Sequence, residues 1–143
     1  MTGSISETIK NIIFDFKEMN SWEEKYKHLI ELGKDLPPME ENFRSEKNLV
    51  RGCQSRVWFH VDQREGKLYF QGDSDAAIVK GLVALLLKVY SGRTPDEILC
   101  TKPNFLGDIG LREHLSMSRS NGLSSMLKQI SLYAIALKSH PKI

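Results

Sequence analysis

Cys53 is the residue most able to do chemistry. It stands in Arg51-Gly52-Cys53-Gln54-Ser55-Arg56, behind a glycine that permits an unusual backbone angle and lets a thiol sit on a protruding turn. Lys47, Arg51 and Arg56 surround it in sequence, and no carboxylate occurs between Asn48 and Val61. Positive neighbours favour the thiolate, the form that attacks sulfur. The local residues fit a second reading equally well, a free cysteine buried as a small hydrophobe. Cys100 follows Ile98-Leu99 at a helix end and reads as packing. His60 falls on the opposite side of its strand from Val57 and Val61 and reads as an exposed strand residue. His114 lies in a polar surface stretch. No histidine is therefore placed to serve Cys53 as a protease base.

Two polar motifs have competing readings. Ser118-Arg119-Ser120-Asn121-Gly122 sits at a helix start, where backbone N–H groups and an arginine can hold an anion. A plain helix cap is the more ordinary reading of the same residues. Asp73-Ser74-Asp75 either caps the next helix or faces a partner. Two Cys are too few for a disulfide framework. They also fall short of a structural zinc site, because no His lies near either at ligand spacing.

The elements that must position these residues follow from periodicity. A Ser4–Glu7 capping box opens a helix whose Ile5, Ile9, Ile12, Ile13 and Phe16 share a face. A second box, Ser21–Glu24, opens a helix carrying Trp22, Tyr26, Leu29 and Ile30, with Gly33 expected as a left-handed cap before Pro37-Pro38. The period then changes to two. Val57, Phe59 and Val61, a turn at Gln63–Gly66, and Leu68 and Phe70 predict a hairpin, with Asn48–Val50 as a short third strand. Gly72–Asp75 is expected to start an apolar central helix through Ile78, Leu82, Leu86 and Val89, ending at Gly92. Thr94-Pro95-Asp96-Glu97 is a third capping box with proline at the first helical position. Short helical pieces follow from Asn104 to Leu115. A last helix is expected from about Asn121, with Leu123, Met126, Leu127, Ile130, Ala134 and Leu137 on one face. The fold class is α+β: a small antiparallel sheet of about three strands packed with helices.

Length and composition set the outer bounds. The 143 residues match one domain, 1–143, and an apolar share of 41% suffices for one core. Twenty Lys+Arg oppose 18 Asp+Glu, and both signs alternate along the chain. That pattern disfavours nucleic acid and a basic membrane-surface helix. Met1–Lys10 lacks the form of a signal peptide, and Ala76–Tyr90 is broken by Lys80 and Lys88, so a soluble cytoplasmic protein with reduced thiols is expected.

Several separated segments together resemble the SufE family of sulfur-acceptor proteins, with CsdE a close relative. They are Trp22-Glu23-Glu24-Lys25-Tyr26, Leu29-Ile30-Glu31-Leu32-Gly33-Lys34, Gly52-Cys53-Gln54-Ser55-Arg56-Val57-Trp58 and Gly72-Asp73-Ser74-Asp75-Ala76-Ala77-Ile78, continued by Val79-Lys80-Gly81-Leu82. Leu115-Ser116 and Ser118–Leu123 close the set. The Cys-Gln-Ser and Gly-Asp-Ser-Asp-Ala-Ala forms are more similar to the SufE branch than to the CsdE branch. The resemblance starts near Ser21; residues 1–20 form a helix without a diagnostic match.

The resemblance implies a fold shared with iron–sulfur scaffold proteins and a partner, a PLP-dependent cysteine desulfurase of the SufS/CsdA type. It implies that Cys53 takes sulfane sulfur as a persulfide, stimulates the desulfurase and passes sulfur to an iron–sulfur assembly scaffold. The chain would then be a transfer partner rather than a stand-alone enzyme, with no cofactor or metal of its own, since PLP belongs to the desulfurase. Gly52, Gln54, Ser55 and Arg119 would support the cysteine, and Arg51, Arg56, Asp73 and Asp75 would meet the partner. A monomer and a homodimer both fit. One alternative is an iron–sulfur cluster scaffold, which generally needs four ligands where this chain offers two Cys. Another is a non-catalytic helical interaction module in which neither Cys reacts.

Overall fold

Two amphipathic helices open the chain, each started by a serine. The computed structural model describes residues 4–139. Met1–Gly3 and the last four residues, parts of the expected 1–143 domain and of the stretch read as lacking a signal peptide, lie outside the described residues. Helix α1 spans Ile5–Lys17, where the Ser4 hydroxyl accepts the Glu7 N–H at 3.1 Å, and it buries Ile12 and Phe16. Helix α2 spans Trp22–Lys34, with the Ser21 hydroxyl accepting the Glu24 N–H. The Glu24 carboxylate accepts from Asn20 N–H, one residue short of a reciprocal box.

Gly33 does not cap α2. It lies inside the helix, where a Cβ would come within 2.9 Å of the Gly81 backbone nitrogen. The glycine allows a close helix approach rather than a turn.

Strands β1 (Val57–Arg64) and β2 (Lys67–Ser74) pair antiparallel, Val57 opposite Ser74 and Arg64 opposite Lys67. Glu65 and Gly66 both have positive φ, the two-residue turn that suits the twist of a hairpin. Val57, Phe59, Leu68 and Phe70 point into the core. Among the described residues the sheet has two strands, not three. Asn48 ends a 3₁₀ turn (Glu46–Asn48) and Gly52, at φ +92°, turns the chain away. Only Leu49, bridged to Trp58, and Val50, whose N–H reaches the Val57 carbonyl at 2.8 Å, remain to pair.

Strand β2 also runs further than its composition suggests. Gly72, Asp73 and Ser74 belong to it, and helix α3 spans Ala77–Tyr90 without a side-chain cap bond. Helix α3 is apolar around most of its circumference and is the centre of the core: Leu82, Val83, Leu85, Leu86 and Val89 are fully buried. It packs on α2 and β2. Helix α4 (Pro95–Cys100) carries the complete Thr94–Glu97 capping box. Two short helices follow, α5 (Phe105–Asp108) and α6 (Leu111–His114). Helix α7 spans Met117–Ser139, four residues earlier than the expected start, because the Ser116 hydroxyl accepts the Arg119 N–H. It turns Leu123, Met126, Ile130, Ala134 and Leu137 inward.

Candidate functional site

The cysteine segment is pinned at both ends. Leu49 and Val50 hold its start to β1. At its end the Arg56 N–H donates to the Asp75 carboxylate at 3.0 Å, and the Arg56 carbonyl accepts from the Ser74 hydroxyl at 2.7 Å. Between these anchors Gly52 passes so close to α7 that a Cβ would collide with the Ser125 hydroxyl. Glycine is required there twice over, by its φ and by this contact.

Cys53 is partly buried, and its thiol donates to the Gly122 carbonyl at 3.5 Å. It stands at a cavity of about 340 Å³ whose apolar wall is Val79 and Leu82 of α3 with Met126 of α7. Ser116, Ser118 and Arg119, at the start of α7, supply the polar side. Arg51 and Arg56 border a second cavity of about 390 Å³, with Glu46. Burial pushes the Cys53 thiol above its ordinary pKa, so the resting group is protonated despite the arginines near it. The thiol is sheltered like a packed one and also borders open space.

Gln54 and Ser55 line both cavities, and Gly52 the second. Arg51, Arg56 and Arg119 are exposed. Arg119 lies in the first turn of α7 rather than before the helix, and shares the first cavity with Cys53. Asp75 is exposed.

Asp73 is buried rather than displayed on the surface. It is 7% exposed, and its carboxylate accepts from Arg44 Nε at 2.7 Å, Lys80 Nζ at 3.4 Å and the Ser74 N–H at 2.8 Å. Burial pushes its pKa up, but Arg44, the Ser74 N–H and Lys80 outweigh that and leave it below the ordinary carboxylate value. Neither does it cap α3, because this network already occupies its oxygens.

Two other expectations change, those for Cys100 and His60, whereas His114 is exposed as its polar stretch predicts. Cys100 is exposed, since six-residue α4 spends its inward face on Ile98. His60 is partly buried, stacked on Phe43 with ring centroids 3.6 Å apart and bonded to Asp62. His114 stacks on Trp22 at 3.9 Å, and its carbonyl accepts from the Tyr26 hydroxyl, fixing α6 to α2 just ahead of Ser116. Sequence reasoning missed Gly122 and Ser125 as neighbours of the cysteine loop. Helical spacing from Ser118 sets Gly122 and Ser125 on one face of α7, but nothing local in the sequence assigns that face to the cysteine loop. Among the described residues no group of three or more His, Cys, Asp or Glu can hold a metal ion. None of the described helices is long and apolar enough to cross a membrane.

Comparison with known proteins agrees with this architecture. The family profile "SufE: Fe-S metabolism associated domain" matches residues 10–134, beginning within α1, well before the motifs that start at Ser21. An uncharacterized SufE-like protein of Rhizobium meliloti (strain 1021) is 45% identical over 128 residues, 86% of this chain and 91% of its own. The solution structure of a hypothetical protein from Thermus thermophilus superposes with a TM-score of 0.76 at 25% identity, over 92% of this chain and 96% of that one. The chain belongs to the SufE family and to Fe–S metabolism.

Proposed function

We propose that the protein is a sulfur carrier, which takes sulfane sulfur from a PLP-dependent cysteine desulfurase as a persulfide on Cys53 and delivers it to an iron–sulfur assembly scaffold. The observation that carries this reading is the placement of a lone thiol at a cavity with an apolar wall and a polar, arginine-bearing rim. A terminal sulfur added to Cys53 needs room beside Sγ, shelter from competing thiols, and a polar group on the side where charge resides. The cavity offers each of these.

The transfer is an exchange at sulfur. On docking, the Cys53 proton is lost to solvent and the thiolate attacks the terminal sulfur of the desulfurase persulfide. A sulfur–sulfur bond forms on Cys53 as the one on the desulfurase breaks, and the desulfurase cysteine leaves as a thiolate. The exchange involves no net oxidation, and no cofactor on this chain takes part. The raised thiol pKa keeps the resting carrier inert, so reaction waits for the partner. Removing product sulfur from the desulfurase in this way also stimulates its turnover.

Incubation with a cysteine desulfurase, PLP and cysteine, followed by intact mass and peptide mapping, tests the reading. The expected result is one added sulfur on Cys53, none in Cys53→Ser, and nearly unchanged loading in Cys100→Ser. Equal sulfur transfer and desulfurase stimulation by Cys53→Ser would overturn it.

A further inference from the structure

Among the described residues Asp73 is the one buried carboxylate near the site, and it does not cap α3. Its Oδ2 accepts from Arg44 Nε at 2.7 Å, and its Oδ1 faces Lys80 Nζ at 3.4 Å. These two cations lie outside both cavities, in two different segments that lead to them. Arg44 lies in the irregular stretch that leads into the cysteine loop. Lys80 follows Val79, which walls the Cys53 cavity.

From Arg44 a continuous set of contacts runs to the loop. Asn48 Nδ2 donates to the Phe43 carbonyl at 2.8 Å, and the Phe43 ring stacks on His60 of β1. Leu49 then bridges Trp58, and Val50 bonds Val57. Only Arg51–Ser55 separates this anchor from the one at Arg56. The contact from Arg44 Nη1 to Glu41 is different in kind, because the Glu41 side chain is 91% exposed and such pairs contribute little.

We propose that Asp73 is a positioning residue for Cys53. Through Arg44 it ties the strap from residue 39 to residue 50 down onto β2, and through Lys80 it fixes that strap relative to α3. The thiol is thereby held at its cavity instead of swinging with a loose strap. The functional meaning rests on the carrier role of Cys53, but the positional claim concerns the reactivity of the thiol alone.

Alkylation of the full-length protein with iodoacetamide, without any desulfurase, tests it. Labelling of the two cysteines is followed separately by peptide mass, and exposed Cys100, outside both cavities, is the internal reference. Asp73→Asn and Arg44→Gln are each expected to accelerate Cys53 labelling about fivefold, the effect of weakening local closure by a modest free energy, with Cys100 unchanged. Both remove the same contact, so the double variant should match the faster single rather than the product of the two. Arg44→Lys should recover part of the shelter, because the charge stays while the fork geometry is lost.

A wild-type Cys53 rate in Arg44→Gln overturns the proposal. So does equal acceleration of both cysteines, which would signal general loosening, and so do multiplicative effects in the double variant. Should Asp73→Asn fail to fold, the two Arg44 variants decide the question. Sulfur loading of Cys53→Ser is a separate readout, so the carrier role and the positional claim stand or fall independently.

Discussion

At the scale of single residues, the sulfur-carrier proposal gives Arg119 and Cys53 different tasks in the cavity they share. The guanidinium lines the same cavity as the thiol without an ion pair among the described residues, so its charge is free to act on an anionic sulfur. Arg119→Ala should lower the rate of sulfur acceptance roughly tenfold, the worth of one modest electrostatic contact. Circular dichroism should be unchanged, because the buried face of α7 from Leu123 to Leu137 is untouched. Arg119→Lys should restore only part of the rate. Stopped-flow measurement of sulfur loading reads both, and a wild-type rate in Arg119→Ala would reduce the residue to a helix-start arginine. Cys53 is visible in the sequence as a candidate because its neighbours are cationic and its predecessor is glycine. The outcome of the contest between cation and burial is not visible there, since the burial comes from Val79, Leu82 and Met126, far along the chain.

At the scale of elements, the contact between α2 and α3 is set by two glycines. A Cβ on Gly81 would fall well inside van der Waals contact distance of the Leu29 carbonyl oxygen, and one on Gly33 would press on the Gly81 backbone. Gly81→Ala must push the helices apart and should destabilise the fold by about 1–3 kcal/mol or more, the usual cost of overpacking. Gly107→Ala is the control, for nothing lies within 4 Å of a Cβ there. Urea midpoints of the two variants check the difference. Helices, hairpin and the Thr94–Glu97 box are all legible in the sequence, because capping and periodicity are local. Gly33 has the local form of a cap, whereas its true reason is a partner 48 positions away in the chain. The Asp73 segment misleads in the same way. Asp-Ser-Asp before an apolar helix has the form of a cap, and only the tertiary fold brings Arg44 to it.

For the molecule as a whole, the depressed pKa of Asp73 ties stability to acid. Its folded pKa lies below the unfolded one, so its contribution is complete above about pH 4–5 and is lost as pH falls through the folded value. Glu97 adds in the same direction, lowered chiefly by the Thr94 backbone N–H. The melting temperature should therefore fall between about pH 5 and pH 2, and Asp73→Asn should flatten part of that fall. An unchanged slope in that variant would show that other carboxylates govern acid unfolding. The α+β class can be read from the pattern of periodicities. The two-stranded sheet cannot, because the third strand is lost to one glycine turn at Gly52.

The cavity beside Cys53 is assembled from segments that leave the ribosome at very different times. Its last wall, Met126, is made about 70 residues after the thiol, roughly 4–14 s later at ordinary elongation rates. Until α7 docks, a newborn chain carries its cysteine bare, with neither a cavity nor the Gly122 carbonyl beside it. Protection of the thiol is thus among the last properties the growing protein acquires, and a chain cut short before α7 would expose it permanently.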